Sequence, residues 1–189
     1  MIDYITQIDF SILSFIQENL RCELLDHLMA FLSLIGEGGL VWFLIAVPML
    51  FFKKTRVCAV VMIVSMGLVL VFGEFIMKNV FCRVRPCNVD TTFEMLVKRP
   101  KSYSFPSGHT SSSFAAATSV FIFNKKAGIA TLILAFLIGF SRLYNYVHFP
   151  TDVLVGMLFG ILMSVFVYYL FKRYKLDNKI ENLKFSRKG

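Results

Sequence analysis

VCAVVMIVSMGLVLVFGEFIM, Val57 to Met77, is an unbroken apolar run in which Glu74 is the sole charge. VLVGMLFGILMSVFVYYLF, Val153 to Phe171, carries no charge at all. As α-helices both are long enough to cross a hydrocarbon core of roughly 30 Å. The whole chain of 189 residues is 57% hydrophobic and 17% charged, and 21 of its residues are Phe. A soluble fold of that composition would expose large apolar patches. The expected fold is therefore all-α: an integral membrane helical bundle.

Three further segments, Leu40–Phe52, Thr110–Phe123 and Ala127–Phe140, are apolar but short. They span only if their helices continue through flanking residues, or if Leu24–Ile35 runs into the first. With them the expectation is about five transmembrane helices. Residues 2–17 place Ile2, Ile5, Ile8, Ile12, Leu13 and Ile16 at roughly helical spacing, interrupted by Asp3, Asp9 and Ser11. That pattern suits an interfacial helix, and Leu24–Ile35 is similar until Gly36-Glu37-Gly38-Gly39 breaks it. The expected organisation is interfacial helices over 1–38, an embedded core over 39–175 and a basic cytoplasmic tail over 176–189. No basic n-region or small-residue cleavage site marks a signal peptide, so the internal helices are expected to drive insertion.

A net charge of +8 raises the question of nucleic acid. The basic residues cluster at the ends of apolar runs, and no long basic-aromatic surface exists, so no nucleic acid is expected as a partner. Lys53, Lys54 and Arg56, then Lys125 and Lys126, then Lys172, Arg173 and Lys175, then Lys184, Arg187 and Lys188 all fall on one side of a five-span threading. The positive-inside rule makes that side cytoplasmic. Cys22, Cys58, Cys82 and Cys87 make no zinc pattern. Cys82 and Cys87 lie close enough in sequence to pair in an oxidising compartment.

The same threading gathers three polar clusters on the outer side, together with Arg83, Lys98, Arg99 and Lys101. The charges of these four run against the positive-inside rule there and suit either the second phosphate of a diphosphate or anionic headgroups. Lys78 with Arg85-Pro86 joins a compact charge to a planar fork, a combination suited to phosphate oxygens, although snorkelling at a helix end would also use such residues. Pro106-Ser107-Gly108-His109 opens a helix. Ser107 is a good N-cap, the free N–H groups beyond it form an anion site, and Gly108 permits close approach. His109 then faces the bound anion or simply water. Thr110 and the serines after it suit close helix packing. Ser141-Arg142 precedes His148 and Asp152, and an aspartate four residues on can fix the histidine tautomer, leaving Nε2 to attack. Asp152 also suits a first-turn carboxylate that simply complements the helix dipole. Glu74 is placed to pair with Lys78 on one helix. His27 reads as structural, and no close ligand spacing suggests a metal.

Lys78-x6-Arg85-Pro86, Pro106-Ser107-Gly108-His109 and Ser141-Arg142-x5-His148-x3-Asp152 together resemble the three-part signature of the type 2 phosphatidic acid phosphatase family. The resemblance covers roughly Leu24 to Phe171. That family includes lipid phosphate phosphatases and bacterial undecaprenyl diphosphate phosphatases, and is related to bacterial acid phosphatases and vanadium haloperoxidases. The resemblance implies that His148 attacks phosphorus to form a phosphohistidine and that Asp152 orients it. It implies that His109 protonates the leaving oxygen and then deprotonates the hydrolytic water. Lys78, Arg85, Ser107, Gly108 and Arg142 would hold the phosphoryl oxygens, with neither metal nor cofactor. Asn145-Tyr146 departs from the small-residue pair often found ahead of the nucleophile.

The expected substrate is a lipid phosphate or diphosphate, with undecaprenyl diphosphate preferred. Phosphatidate or phosphatidylglycerophosphate is the enzymatic alternative, and a phosphotransferase is a further one. A transporter or binding protein for anionic lipid is the non-enzymatic reading, and needs no nucleophile with its orienter. The outward site has a direct test. In a cysteine-free background, a cysteine at Lys126 should be shielded from an impermeant thiol reagent in intact cells, and one at Asp90 should react. The opposite pattern would move the clusters to the cytoplasmic side.

Overall fold

The computed structural model describes residues 2–181, and every regular element in that range is helical. Lys184, Arg187 and Lys188 of the basic tail lie outside the described residues. In chain order the elements are α1 (Ile2–Asn19), α2 (Glu23–Ile35), a short 3₁₀ turn (Glu37–Gly39), α3 (Leu40–Phe51) and α4 (Lys53–Val69). A π-helical segment (Leu70–Met77) joins α4 to α5 (Lys78–Phe81). Then come α6 (Pro86–Val89), α7 (Gly108–Phe123), α8 (Lys125–Tyr144), α9 (Pro150–Arg173) and α10 (Leu176–Glu181).

Among the described residues, three stretches are long and apolar enough to cross a membrane: Lys53–Val89, Lys125–Tyr144 and Pro150–Arg173. Glu23–Ile35 and Glu37–Phe51 make a fourth together, bent by 51°. The α2 segment thus continues into α3 across the glycine break, with Gly38 and Gly39 both in the left-handed region that glycine enters freely. The remaining apolar segment is α7. It is short and rich in Ser, Ala and Thr because it packs against α4, α8 and α9. Its small side chains meet helices, and ten of its sixteen residues are buried.

Close approach of α7 and α9 sets the bundle's centre. A Cβ at Gly160 would stand 2.3 Å from the Ser111 carbonyl oxygen and 2.9 Å from the Ala115 nitrogen. Only glycine lets the two backbones come so near, as small-residue helix interfaces in membranes require. One turn further along, the Ser119 and Ser164 hydroxyls meet at 2.9 Å. At the other end, the Ser107 N–H donates to the Asp152 carbonyl oxygen at 3.1 Å. Around this contact lies an apolar core that includes Trp42, Met62, Phe114 and Ile138, in which the Trp42 indole donates to Ser113 Oγ at 2.9 Å.

The N-terminal helix α1 is not a loose surface strip. Leu13 and Ile16 are buried, and so are Asp9 and Gln17. Tyr4, Ile5, Ile8, Ile12 and Phe15 are exposed on its other side. One stripe of α1 packs against α8 and α9, and its apolar exposed face suits lipid. Arg56, counted in the first basic loop, is itself buried and donates Nε–H to the Leu50 carbonyl at 2.8 Å.

Gly160→Leu should therefore drive α7 and α9 apart and lower the thermal midpoint in detergent, at a cost of about 1–3 kcal/mol or more. Gly67→Ala provides the contrast, since a Cβ there meets nothing within 4 Å, and it should not lower the midpoint.

Candidate active site

The left-handed turn at Cys82 ends α5 and turns the chain out of the helix. Arg83 and Arg85 follow at once. Tyr146, also left-handed, makes a second such turn between α8 and α9, ahead of His148. Non-glycine residues with positive φ are uncommon and concentrate where structure holds a functional geometry. Asn145 anchors this second turn, donating to the Met29 carbonyl of α2 at 3.1 Å. The Asn145-Tyr146 pair is thus a tie between the site loop and the N-terminal helices.

Lys78, Arg85, Gly108, His109, Arg142 and His148 line one cavity of about 1070 Å³. Ser107 and Asp152 stand behind its wall and are fully buried. The structure thus brings together all eight residues singled out for the site, six on the surface of the cavity and two supporting it.

The Arg85 guanidinium is held on three sides. It donates to the Ser102 carbonyl at 2.7 Å, to Ser102 Oγ at 3.0 Å, to the Tyr103 carbonyl at 3.1 Å and to the Val147 carbonyl at 2.8 Å. Its Nη1 also lies 2.9 Å from His148 Nε2. An arginine can only donate, so Nε2 is the acceptor and the imidazole proton sits on Nδ1. That nitrogen faces Asp152 Oδ2 at 3.5 Å but makes no hydrogen bond at this distance. Burial, aided by the Arg85 and Arg142 charges, pushes the His148 imidazole down to about 3 against the opposing pull of Asp152. His148 is a neutral base with its lone pair turned toward the cavity's cations.

Asp152 is held more firmly than its histidine. Its Oδ2 accepts from the Phe149 N–H at 2.8 Å and from the Ser104 hydroxyl, and its Oδ1 from Arg83 Nη1 at 2.7 Å. Lys78 Nζ lies 2.8 Å from Glu74 Oε1, the pairing expected along that helix. The Glu74 carboxylate also reaches the start of α7, since a Cβ at Gly108 would stand 2.2 Å from its Oε1. Gly108 is required there by this close approach. Ser107 takes the N-cap position, but its side chain caps no N–H and instead accepts from Thr110 Oγ1 at 2.9 Å. The first-turn N–H groups of α7 are left for another acceptor. Arg142 donates to Ser33 Oγ of α2, and its Nε and His109 Nε2 are buried without a partner among the described residues.

Lys98, Arg99 and Lys101 line the same cavity from the loop before α7. Arg83 does not join them. It lies between Asp152, Thr151 and Asp9. Cys82 and Cys87 are free thiols. Among the described residues no group of three His, Cys, Asp or Glu side chains is placed to hold a metal ion. The cavity also has an apolar lining, which includes Phe43, Ile63, Met66, Val69 and Leu70.

Sequence reasoning missed Ser33, Ser102, Ser104, Asp9 and the true position of Arg83. Ser104 lies two residues before the Pro106-Ser107-Gly108-His109 cluster, and that neighbourhood could have suggested a support role. Nothing in the chain order links Asp9 to residues 83 or 152.

The PAP2 superfamily model matches residues 57–175. An undecaprenyl-diphosphatase of Sulfolobus acidocaldarius is 35% identical over 141 residues, covering 74% of this chain and 68% of that protein. The crystal structure of a PAP2-type phosphatidylglycerolphosphate phosphatase from Bacillus subtilis is similar with a TM-score of 0.71 and 26% identity, covering 96% of this chain and 90% of that one. The crystal structure of Aquifex aeolicus LpxE gives 0.70 and 28%, covering 85% and 94%. The fold and the matched region define a multi-pass membrane phosphatase. The chain belongs to the PAP2 superfamily.

The depressed His148 basicity has a consequence for stability. The unfolded chain takes up a proton at the ordinary histidine value near 6.5, whereas the folded chain resists until about 3. Between these values the unfolded state binds more protons, so stability falls as pH falls from about 6.5. Thermal midpoints measured from pH 7 to pH 4 should drop less steeply for His148→Asn than for the wild type.

Proposed function

We propose that this protein removes phosphate from a lipid diphosphate through a phosphohistidine on His148, with undecaprenyl diphosphate as the preferred substrate. The observation that carries the reading is the composition of one cavity. Two histidines and six cations line it, and so do apolar side chains. An amphiphile whose phosphorylated head meets the cations and whose chain meets the apolar wall fits that division. The cavity volume is at the upper end of ligand pockets, about 300–1,000 Å³, and larger than a bare phosphate requires.

Arg85 is poised on His148 Nε2, and a phosphoryl group entering between them offers Arg85 an oxygen and releases the Nε2 lone pair. Nε2 then bonds phosphorus while the bond to the leaving oxygen breaks. His109 gives that oxygen a proton. Lys78, Arg85, Arg142 and the first-turn N–H groups at Gly108 neutralise the equatorial oxygens, with Ser107 holding the turn behind them. Asp152 stabilises the positive charge that the imidazole acquires. Water, deprotonated by His109, attacks the phosphohistidine and restores His148. Two displacements with preplaced cations answer a hydrolysis that is among the slowest known without catalysis. No step calls on a metal or cofactor.

Lys98, Arg99 and Lys101 favour a diphosphate over a monoester. They exceed what one phosphoryl group needs and share its cavity. The name of the Sulfolobus relative agrees with a diphosphate, whereas that of the Bacillus subtilis structure favours the glycerophospholipid alternative. The positive-inside pattern favours a cell-membrane location with the cavity at the extracytoplasmic face. The 39–175 core and the 176–189 tail fit this reading, whereas within 1–38 α2 joins α3 in the bent span and braces the site through the bonds that Arg142 and Asn145 make to it.

The test is phosphate release by purified protein in detergent from prenyl diphosphate and phosphatidate at equal surface concentration. The diphosphate should be cleaved faster, and Lys98→Gln with Arg99→Gln should narrow that gap. Equal or faster cleavage of phosphatidate, unchanged by those substitutions, would favour the glycerophospholipid reading. His148→Ala should cut turnover of either by at least about 10³-fold. Retention of a tenth of the wild-type rate would reject His148 as the nucleophile, and absence of phosphate release by the wild type would support a carrier. Vanadate should inhibit and EDTA should not.

A further inference from the structure

Asp9 has no part in the reaction outlined above, yet its carboxylate is 1% exposed and stands at the back of the candidate site. Arg83 Nη2 donates to Asp9 Oδ2 at 2.7 Å, and Arg83 Nη1 to Asp152 Oδ1 at 2.7 Å. One guanidinium thus bridges two buried carboxylates from opposite ends of the chain. Asp9 also accepts from the Thr151 N–H at 3.0 Å and from the Thr151 hydroxyl at 2.6 Å. That hydroxyl in turn accepts from Arg83 Nη1 at 2.7 Å. The Phe149 ring closes the arrangement, 4.0 Å from the guanidinium carbon.

We propose that Asp9 is a positioning residue for His148: it supplies the counter-charge for Arg83, so that Asp152 keeps its negative charge for the imidazole. The charge count carries the inference. Arg83 and Asp152 alone would neutralise each other, leaving little to stabilise the cationic imidazole that forms as Nε2 bonds phosphorus. With Asp9 the group of three is net negative by one. Asp152 Oδ2 then faces His148 Nδ1, held by Ser104 and the Phe149 N–H. Asp9 also fixes the angle of the fork. An arginine shared between two carboxylates gives each a single N–H direction, whereas a freed guanidinium turns both of its ends onto one carboxylate. That rotation would draw Asp152 away from His148, and displacements of this kind reduce turnover more than substrate binding.

The inference rests on His148 as the nucleophile. The test uses the full chain in detergent, with phosphate release from farnesyl diphosphate and from dioctanoyl phosphatidate measured in parallel, and thermal midpoints recorded for each variant. Asp9→Asn should lower kcat about tenfold or more, with KM within about twofold of wild type. Ile16→Ala provides the structural comparison: it loosens α1 at another buried position while Asp9 stays, and should hold kcat within about twofold even where its midpoint falls as far. Arg83→Gln should also lower kcat, and Asp9→Asn added to Arg83→Gln should lower it no further. Three results would overturn the proposal: unchanged kcat in Asp9→Asn, an equal loss in Ile16→Ala, or multiplicative losses in the double variant. His148→Ala in the same assay separates the two readings. If it retains activity, both fall. If it is inactive while Asp9→Asn turns over normally, only the role of Asp9 falls.

Discussion

Backbone meets backbone where α7 crosses α9 at Gly160 and Ser111, and the positions of the chemical groups follow from that crossing. His109 stands in the first turn of α7. His148 and Asp152 flank the start of α9. Neither helix start carries the whole arrangement alone, since α7 brings His109 and its first-turn N–H groups and α9 brings the buried Asp152 beside His148. The close contact sets their separation, and the Ser107 N–H bond to the Asp152 carbonyl ties the two starts directly. Membrane bundles obtain little hydrophobic force between helices and rely on such close backbone packing instead.

Charge inside this apolar bundle is kept in closed groups. Removing one partner from a buried pair leaves an uncompensated charge, which is far more costly than losing a surface bridge. Asp9, Arg83 and Asp152 form one group, and Glu74 with Lys78 another. Arg85 satisfies its donors on backbone carbonyls of the loop before α7 and the turn before α9. Arg142 and His109 keep buried nitrogens with no partner among the described residues. Ionisable groups held at such cost within membrane-spanning structure mark functional positions.

The eight residues that meet at the cavity were legible because each chemical type fell at a spacing that a helix start or end explains. Lys78 and Arg85 bracket a helix terminus, Ser107 and Gly108 open a helix, and Pro150 opens the one that carries Asp152. The long spans were legible for the same reason, since their apolar runs need no tertiary information. What the chain order hid was tertiary. Thr110–Phe123 is not lipid-like in composition because its environment is other helices, which a hydropathy reading mistakes for weakness. Arg83 lies two residues from Arg85 and carries the same charge, but the left-handed turn at Cys82 and the arrival of α1 send it behind the site instead of into it. Asp9 looked like an interruption of an amphipathic stripe, and only the packing of α1 on α8 and α9 gives it a partner.

The π-helical stretch from Leu70 to Met77 makes the register of the second long span indivisible. A π segment is an α-helix carrying an extra residue in its turn, an arrangement frequent at functional sites. The extra residue lies between 70 and 77, and the wide turn absorbs it. Were the stretch to tighten to a plain α-helix with all its residues, every side chain downstream would swing by about 100° around the axis. Lys78 would turn away from Arg85 and Arg142, and the chain would reach Cys82 pointing elsewhere. A substitution that leaves the wide turn intact acts on one side chain, whereas one that closes it acts on the whole first cluster at once. The width of this turn, more than any single letter in it, sets where the first cluster points.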